Sequence, residues 1–231
     1  GKVAAKWEES SHGYDAIDGL EFSNDGKQLI VLRAKLPMKF IDWSSGKVVK
    51  EIALEADPKK ILSYAFSPAQ DLLAVGTYDG IALWDVKASK KIKDFQKGQA
   101  ISGLDMIITK DSKGRPIRLL SYGRAVLPPD LKWQNLAGLI NIDSGSVTPL
   151  LNDIPANKKV EGSMTFFYSD FEWGAGHVLV TYSTFPPKTK AGVYLVDTWT
   201  GKYVSQQDLG QFVVKYKNRY LGKPYYGFVI A

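Results

Sequence analysis

The chain has 231 residues, of which 45% are hydrophobic and 12% aromatic, and its formal net charge is +6. This composition supports a sizeable folded core and excludes a disordered chain. The absence of cysteine excludes disulfides, thiolate zinc sites and a cysteine nucleophile. With two histidines in the chain, we expect neither a histidine triad nor a multi-histidine metal site, and we predict no cofactor.

No stretch approaches the roughly 18 consecutive apolar residues of a membrane-spanning helix, so we expect a soluble chain. A chain without cysteine fits the cytoplasm and export equally well, and the oligomeric state is open. Lysines occur along the whole sequence, which favours a generally basic surface over one specific patch.

The predicted elements recur in a fixed order along the chain. An apolar strand that ends in a turn occurs at 20–26 and again, 44 residues later, at 64–70. β-branched and aromatic residues suit pleated strands, and Asn-Asp-Gly and Ser-Gly suit tight turns. A near-continuous apolar strand is the second element, with copies at 28–32, 72–75, 117–120 and 178–181.

The third element is an alternating strand that closes on an aspartate and leads through a turn into a basic strand. One such aspartate per repeat indicates a structural role in capping the turn. No amphipathic helix interrupts the strands, so the pattern predicts an antiparallel all-β fold. A period of roughly 40–50 residues with four strands per unit predicts a β-propeller. The closing aspartates are Asp42, Asp85, Asp143 and Asp197.

Residues 76–85 read Gly-Thr-Tyr-Asp-Gly-Ile-Ala-Leu-Trp-Asp, and this run resembles the one found in blades of the WD-repeat family of propellers. The other repeats have Ile41, Ile142 or Val196 in place of Trp84, so the chain resembles a divergent member. In WD-like propellers, the loops between second and third strands lie on one face around a central channel. The resemblance implies the same arrangement here.

The two ends of the chain are predicted to complete one blade together. Residues 1–7 match the outer strand at 46–52, and residues 226–231 match the third strand at 191–196. Propellers commonly remove free edges by such a closure. The alternative is a fragment of a larger propeller with six or seven blades. We predict a single domain over 1–231 with five four-stranded blades, at 14–54, 61–95, 101–151, 163–208, and 211–231 completed by 1–7.

Two insertions between second and third strands provide the first candidate site. They occupy 123–137 and 183–191, whereas the equivalent turn at 78–80 is minimal. Prolines hold such loops extended, and an exposed Trp or Phe between them would make a natural contact with a partner. Alternatively, these aromatic side chains cover the mouth of the channel. We predict a non-catalytic scaffold that binds a protein or peptide partner through Arg124, Leu127, Pro129, Trp133, Phe185, Pro187 and Lys188.

A second candidate site is a set of carboxylates at the central channel. Some five-bladed propellers are glycosidases, which need two or three carboxylates about 5–10 Å apart. The alternative function is therefore a propeller enzyme, or a subunit that binds a small ligand or carbohydrate. Its candidate residues are Asp15, Asp18, Asp105 and Asp170.

The run at 215–226 mixes cations with tyrosines, as a surface for single-stranded nucleic acid would. We interpret it instead as an edge hairpin whose lysines discourage aggregation. A nucleic-acid partner is therefore not expected.

Overall fold

The computed structural model describes residues 17–33, 37–54, 61–111, 113–126, 136–159, 165–171, 177–184, 191–208, 216–217 and 224–225. Within these residues almost all regular structure is strand, and the helical element is a short 3-10 helix at Ala156–Lys158. The strand pairs are antiparallel. The predicted antiparallel all-β fold is therefore confirmed.

The first half of the described chain forms two four-stranded sheets, each with its strands in chain order. Sheet 1 consists of β1 (Ile17–Phe22), β2 (Gln28–Arg33), β3 (Met38–Asp42) and β4 (Val48–Ile52). Sheet 2 consists of β5 (Ile61–Phe66), β6 (Leu72–Thr77), β7 (Gly80–Asp85) and β8 (Lys90–Phe95).

The second half repeats the same order twice, and a pairing between β10 and β13 joins the two units into one eight-stranded sheet. Sheet 3 consists of β9 (Ile101–Lys110), β10 (Pro116–Val126), β11 (Ala137–Asn141) and β12 (Val147–Leu150). Sheet 4 consists of β13 (Thr165–Phe171), β14 (His177–Thr184), β15 (Ala191–Asp197) and β16 (Tyr203–Asp208). A two-stranded pair follows, β17 (Tyr216–Lys217) and β18 (Pro224–Tyr225).

Buried apolar side chains from successive sheets meet in shared core clusters, so the sheets pack against one another in chain order. This order is compatible with a propeller-like fold. Among the described strands no sheet closes on itself, and the five-bladed ring stays a prediction. The cluster between sheets 1 and 2 includes Leu32, Phe40, Leu73 and Trp84. The next two clusters include Leu83, Met106 and Leu120, and Leu139, Val178 and Tyr194.

The turns between third and fourth strands are organised by a single side-chain oxygen. In sheet 1, Oδ1 of Asp42 accepts hydrogen bonds from the backbone N of Ser45 and from the hydroxyls of Ser44 and Ser45, each at 2.7 Å. In sheet 4, Oδ1 of Asp197 accepts a bond from the backbone N of Thr200 at 2.7 Å. The capping role predicted for these two aspartates is confirmed.

Sheet 3 corrects the prediction for Asp143. Its turn is capped by Asn141, whose Oδ1 accepts hydrogen bonds from the backbone N of Asp143 and Ser144, each at 3.0 Å. The carboxyl of Asp143 instead accepts bonds from the guanidinium of Arg118 on β10, and this contact lowers the pKa of Asp143. Asp143 therefore ties the turn to a neighbouring strand rather than capping it.

The outermost strands of three sheets carry a β-bulge at the same place. Register shifts leave Val49 in β4, Ile92 in β8 and Val204 in β16 outside the pairing with the neighbouring strand. Each of the three apolar side chains is about half exposed. Bulges at a sheet edge hinder pairing with a further strand, so these edges are poor templates for strand addition.

Candidate binding surface

The end of β10 is the place where sheets 3 and 4 join. The neighbouring strand β11 begins at Ala137, which pairs with Gly123. Beyond that point β10 pairs with β13 instead, with Val126 opposite Thr165. Thr165 is in turn opposite Thr184 at the end of β14. Val126, Thr165 and Thr184 are therefore neighbours in one continuous sheet.

Three segments of the chain are attached at these three neighbouring positions. Residues 127–135 follow Val126, residues 160–164 precede Thr165, and residues 185–190 follow Thr184. The first and third segments belong to the two insertions that the sequence singled out. The pairing of β10 with β13 thus places the attachment points of both insertions at one end of the joined sheets. We call this end the insertion base.

The insertion base is well packed. Ala125, Leu136 and Thr184 are at most 4% exposed. The backbone N of Arg124 donates to the carbonyl oxygen of Leu136 at 2.9 Å, and that of Ala125 donates to Ala100 at 2.9 Å. Loops that carry binding residues are commonly held by such a rigid support.

Arg124 is the candidate contact residue whose side chain falls within the described residues. It is half-buried at the insertion base, next to Tyr122 in the chain. Burial raises the pKa of Tyr122 to about 12, and the nearby charge of Arg124 opposes that rise. The Tyr122 hydroxyl is therefore neutral at ordinary pH, while Arg124 supplies a positive charge. The other candidates lie outside the described residues: Leu127, Pro129, Trp133, Phe185, Pro187 and Lys188.

The channel carboxylates are placed only in part. Asp105 lies on β9 and is half-buried, and its Oδ1 accepts a hydrogen bond from the backbone N of Met106 at 2.7 Å. Asp18 belongs to β1 and Asp170 to β13, whereas Asp15 lies outside the described residues. The convergence of these four groups stays a prediction.

The described part of the chain shows neither a metal site nor a membrane-spanning helix. No group of three or more histidine, aspartate or glutamate side chains there could hold a metal ion. No helix there is long and apolar enough to cross a membrane.

Sequence reasoning missed the pairing of β10 with β13, which creates the insertion base. A signal for it is the length of β10, which has 11 residues where the second strands of sheets 1 and 2 have six. A second strand that extends beyond the third strand of its sheet has backbone N–H and C=O groups left to pair with a strand of the next sheet.

The sequence matches no protein-family model and no curated protein. The fold is shared more widely, with 865 matching chains among solved structures. One is a chain of Kuenenia stuttgartiensis hydrazine synthase, with a TM-score of 0.61 and 14% sequence identity over 91% of this chain and 53% of that chain. The present chain thus spans about half the length of that structure. Such a likeness concerns the fold alone, because one fold hosts many activities.

Proposed function

We propose that this chain is a non-catalytic binding scaffold that recognises a protein or peptide partner through its two insertions. The observation that carries the proposal is the shared attachment of 127–135 and 185–190 at the insertion base. The attachment points of the two loops, Val126 and Thr184, are separated by one strand of a rigid sheet, so a single partner could reach both loops. A partner that contacts both loops gains interactions from each, and binding does not include the entropic cost of ordering the sheets beneath them.

The content of the two loops supports a protein or peptide as the partner. Each begins with an apolar residue and two prolines, Leu127-Pro128-Pro129 and Phe185-Pro186-Pro187. Prolines lower the conformational entropy that the loops lose on binding. Trp133 and Arg124 are of the residue types that dominate the energetics of protein interfaces.

The proposal is tested by affinity capture from the source organism with the tagged full chain. In the test variant, residues 127–135 are replaced by a Gly-Ser segment of equal length. In the control variant, Ser112 and Lys113, which lie between β9 and β10 in the sequence, become Gly-Ser. We expect at least one protein to be captured by the wild type and the control and lost from the test variant. Equal capture by all three, with equal thermal stability, would refute the proposal.

The scaffold itself is proposed to be a divergent WD-like propeller whose fifth blade is formed by both ends of the chain. Its support comes from the outward face of sheet 1. Val31 and Ile41 are buried on that face, while Leu20 and Phe22 are 57% and 50% exposed. A fifth blade packed there would extend the order seen from sheet 1 to sheet 4.

A further inference from the structure

Positive charge is concentrated at the outer strand of sheet 2. Residues 87–97 contain five lysines and one acidic residue, Asp94. We call the lysines at 87, 90, 91, 93 and 97, together with Ile92, the basic rim patch. The local excess of positive charge is a large part of the net charge of +6. This local excess departs from the generally basic surface that the spread of lysines along the sequence predicts.

Lys91 and Lys93 of the basic rim patch flank an exposed apolar side chain in the sequence of β8. The bulge in β8 leaves Ile92 outside the strand pairing and 53% exposed. Asp94 contacts both Lys91 and Lys97, each at 3.5 Å. Lys93 packs over the ring of Phe95, with Nζ 5.0 Å from the ring centroid. Asp85 lies opposite Lys90 in the strand pairing. Residues 85–97 therefore hold five lysines against two aspartates, a local net charge of +3.

The fold does not require lysines at this position. The outer strand of sheet 1 carries the same bulge at Val49, with Lys50 next to it and Lys47 and Glu51 two residues away. That of sheet 4 carries it at Val204, between Tyr203 and Ser205. These edges are blunted by the bulge without a lysine cluster. Protection of the edge therefore explains the bulge in β8 but not its charge.

We propose that the basic rim patch is a second binding surface, which takes an acidic protein segment with an apolar side chain. The carboxylates of the segment would meet the lysines, and its apolar side chain would pack on Ile92. A second copy of this chain would set lysines against lysines, which is unfavourable. Within residues 87–97, single-stranded nucleic acid finds no exposed aromatic ring to stack on, because Phe95 is 7% exposed beneath Lys93, and the exposed Tyr78 belongs to the turn between β6 and β7. The patch is distinct from the insertion base, so it extends the proposed function.

The test measures fluorescence anisotropy of a labelled 12-residue peptide in which glutamates surround a single leucine. We expect K90Q/K93Q to raise Kd about tenfold, because two exposed charge contacts are lost. I92S is expected to weaken binding severalfold. Raising the salt concentration from 0.05 to 0.3 M is expected to weaken it further, since exposed charges are screened.

Matched controls separate this surface from general charge effects. K110Q/K113Q removes the same two charges from the β9–β10 hairpin, and V49S alters the equivalent bulge of sheet 1. Both are expected to leave Kd within twofold. A similar loss for both lysine pairs would overturn the proposal, and so would tighter binding of a 12-nucleotide oligothymidine. If K90Q/K93Q does not fold, K87Q/K97Q tests the same charge from outside the strand.

Discussion

Asp42 accepts three hydrogen bonds on one carboxylate oxygen, and these bonds favour its ionised form. The pKa of Asp42 is lowered from its ordinary value of 3.8 to about 2, first by the hydroxyl of Ser44 and then by Ser45. A carboxyl whose pKa is lower in the folded state stabilises the fold above its unfolded pKa. The stabilisation from Asp42 is therefore complete above about pH 4 and is lost as the pH falls through about 2.

This expectation is checked by titrating the Asp42 carboxyl carbon by NMR in the folded protein and in a peptide of residues 40–48. We expect the midpoint in the protein to lie below that of the peptide. D42N is the control, because its amide does not titrate and Asn141 caps the equivalent turn with the same oxygen. Equal midpoints in protein and peptide would contradict the account.

The turn-capping aspartates could be predicted from the repeat, but the capping role predicted for Asp143 is wrong, because Asn141 caps that turn. The physical signal lies in the left-handed residue of each turn. Gly46, Gly145 and Gly201 have φ near +70°, and each lies four residues after its cap. Counting back from Gly145 gives Asn141, whereas the search for an aspartate gave Asp143. The backbone requirement is thus more informative than the residue type of the cap.

At the scale of single elements, these three turn glycines differ in what surrounds them. A Cβ at Gly46 would meet no atom within 4 Å, and at Gly145 it would meet the flexible end of Lys93. At Gly201 it would lie 2.6 Å from the carbonyl oxygen of Pro149, which belongs to the neighbouring sheet. All three positions have positive φ, which costs alanine about 1–2 kcal/mol.

We therefore expect Gly46→Ala and Gly145→Ala to lower the free energy of unfolding by about 1–2 kcal/mol each. Gly201→Ala is expected to cost clearly more, because the backbone of β12 must also shift. Denaturant unfolding of the three variants gives the comparison, with Gly46→Ala as the matched control. A cost for Gly201→Ala no larger than that for Gly46→Ala would mean that sheets 3 and 4 do not approach closely there.

The bulges of the outer strands illustrate what the sequence could not show at this scale. Val49 and Ile92 occur in strands without a clear alternation of apolar and polar residues. A bulge is defined by the register with the neighbouring strand, which the sequence does not show. Without that register, lysines near Ile92 cannot be distinguished from lysines spread over the surface. The strand order itself was predictable, because the period of two in each strand and the turn residues between strands are local properties.

At the scale of the whole molecule, repetition predicted the packing of successive sheets but not the joining of sheets 3 and 4. Equivalent repeats bury equivalent faces, so the packing of one sheet against the next predicts the same packing at the following pair of sheets. The pairing of Val126 with Thr165 is specific to one boundary and links residues far apart in the chain. The prediction that both insertions lie on one face came from the resemblance to WD-like propellers, whereas this contact, which brings their attachment points to one end of the joined sheets, is revealed only by the folded arrangement.

Closure of the ring is the last expectation at this scale. The outward face of sheet 1 leaves Phe22 half exposed, with its ring edge-on to Trp43 at a centroid distance of 5.5 Å. Leu20, two residues earlier in β1, is 57% exposed, and neighbouring exposed apolar side chains mark a surface that a further layer can cover. If residues 1–7 pair with residues 226–231, the resulting blade supplies that layer.

Because the chain has no cysteine, engineered pairs report this closure without background. Val3, Ala4 or Ala5 is replaced by cysteine together with Val229→Cys, and each variant is oxidised under native conditions. We expect at least one pair to form a disulfide within a single chain, since paired strands bring Cβ atoms within about 5.5 Å. Ala4→Cys with Ser89→Cys is the control, because Ser89 lies in the turn between β7 and β8 of another sheet. Folded variants without any internal disulfide would favour a piece of a larger propeller over a five-bladed ring.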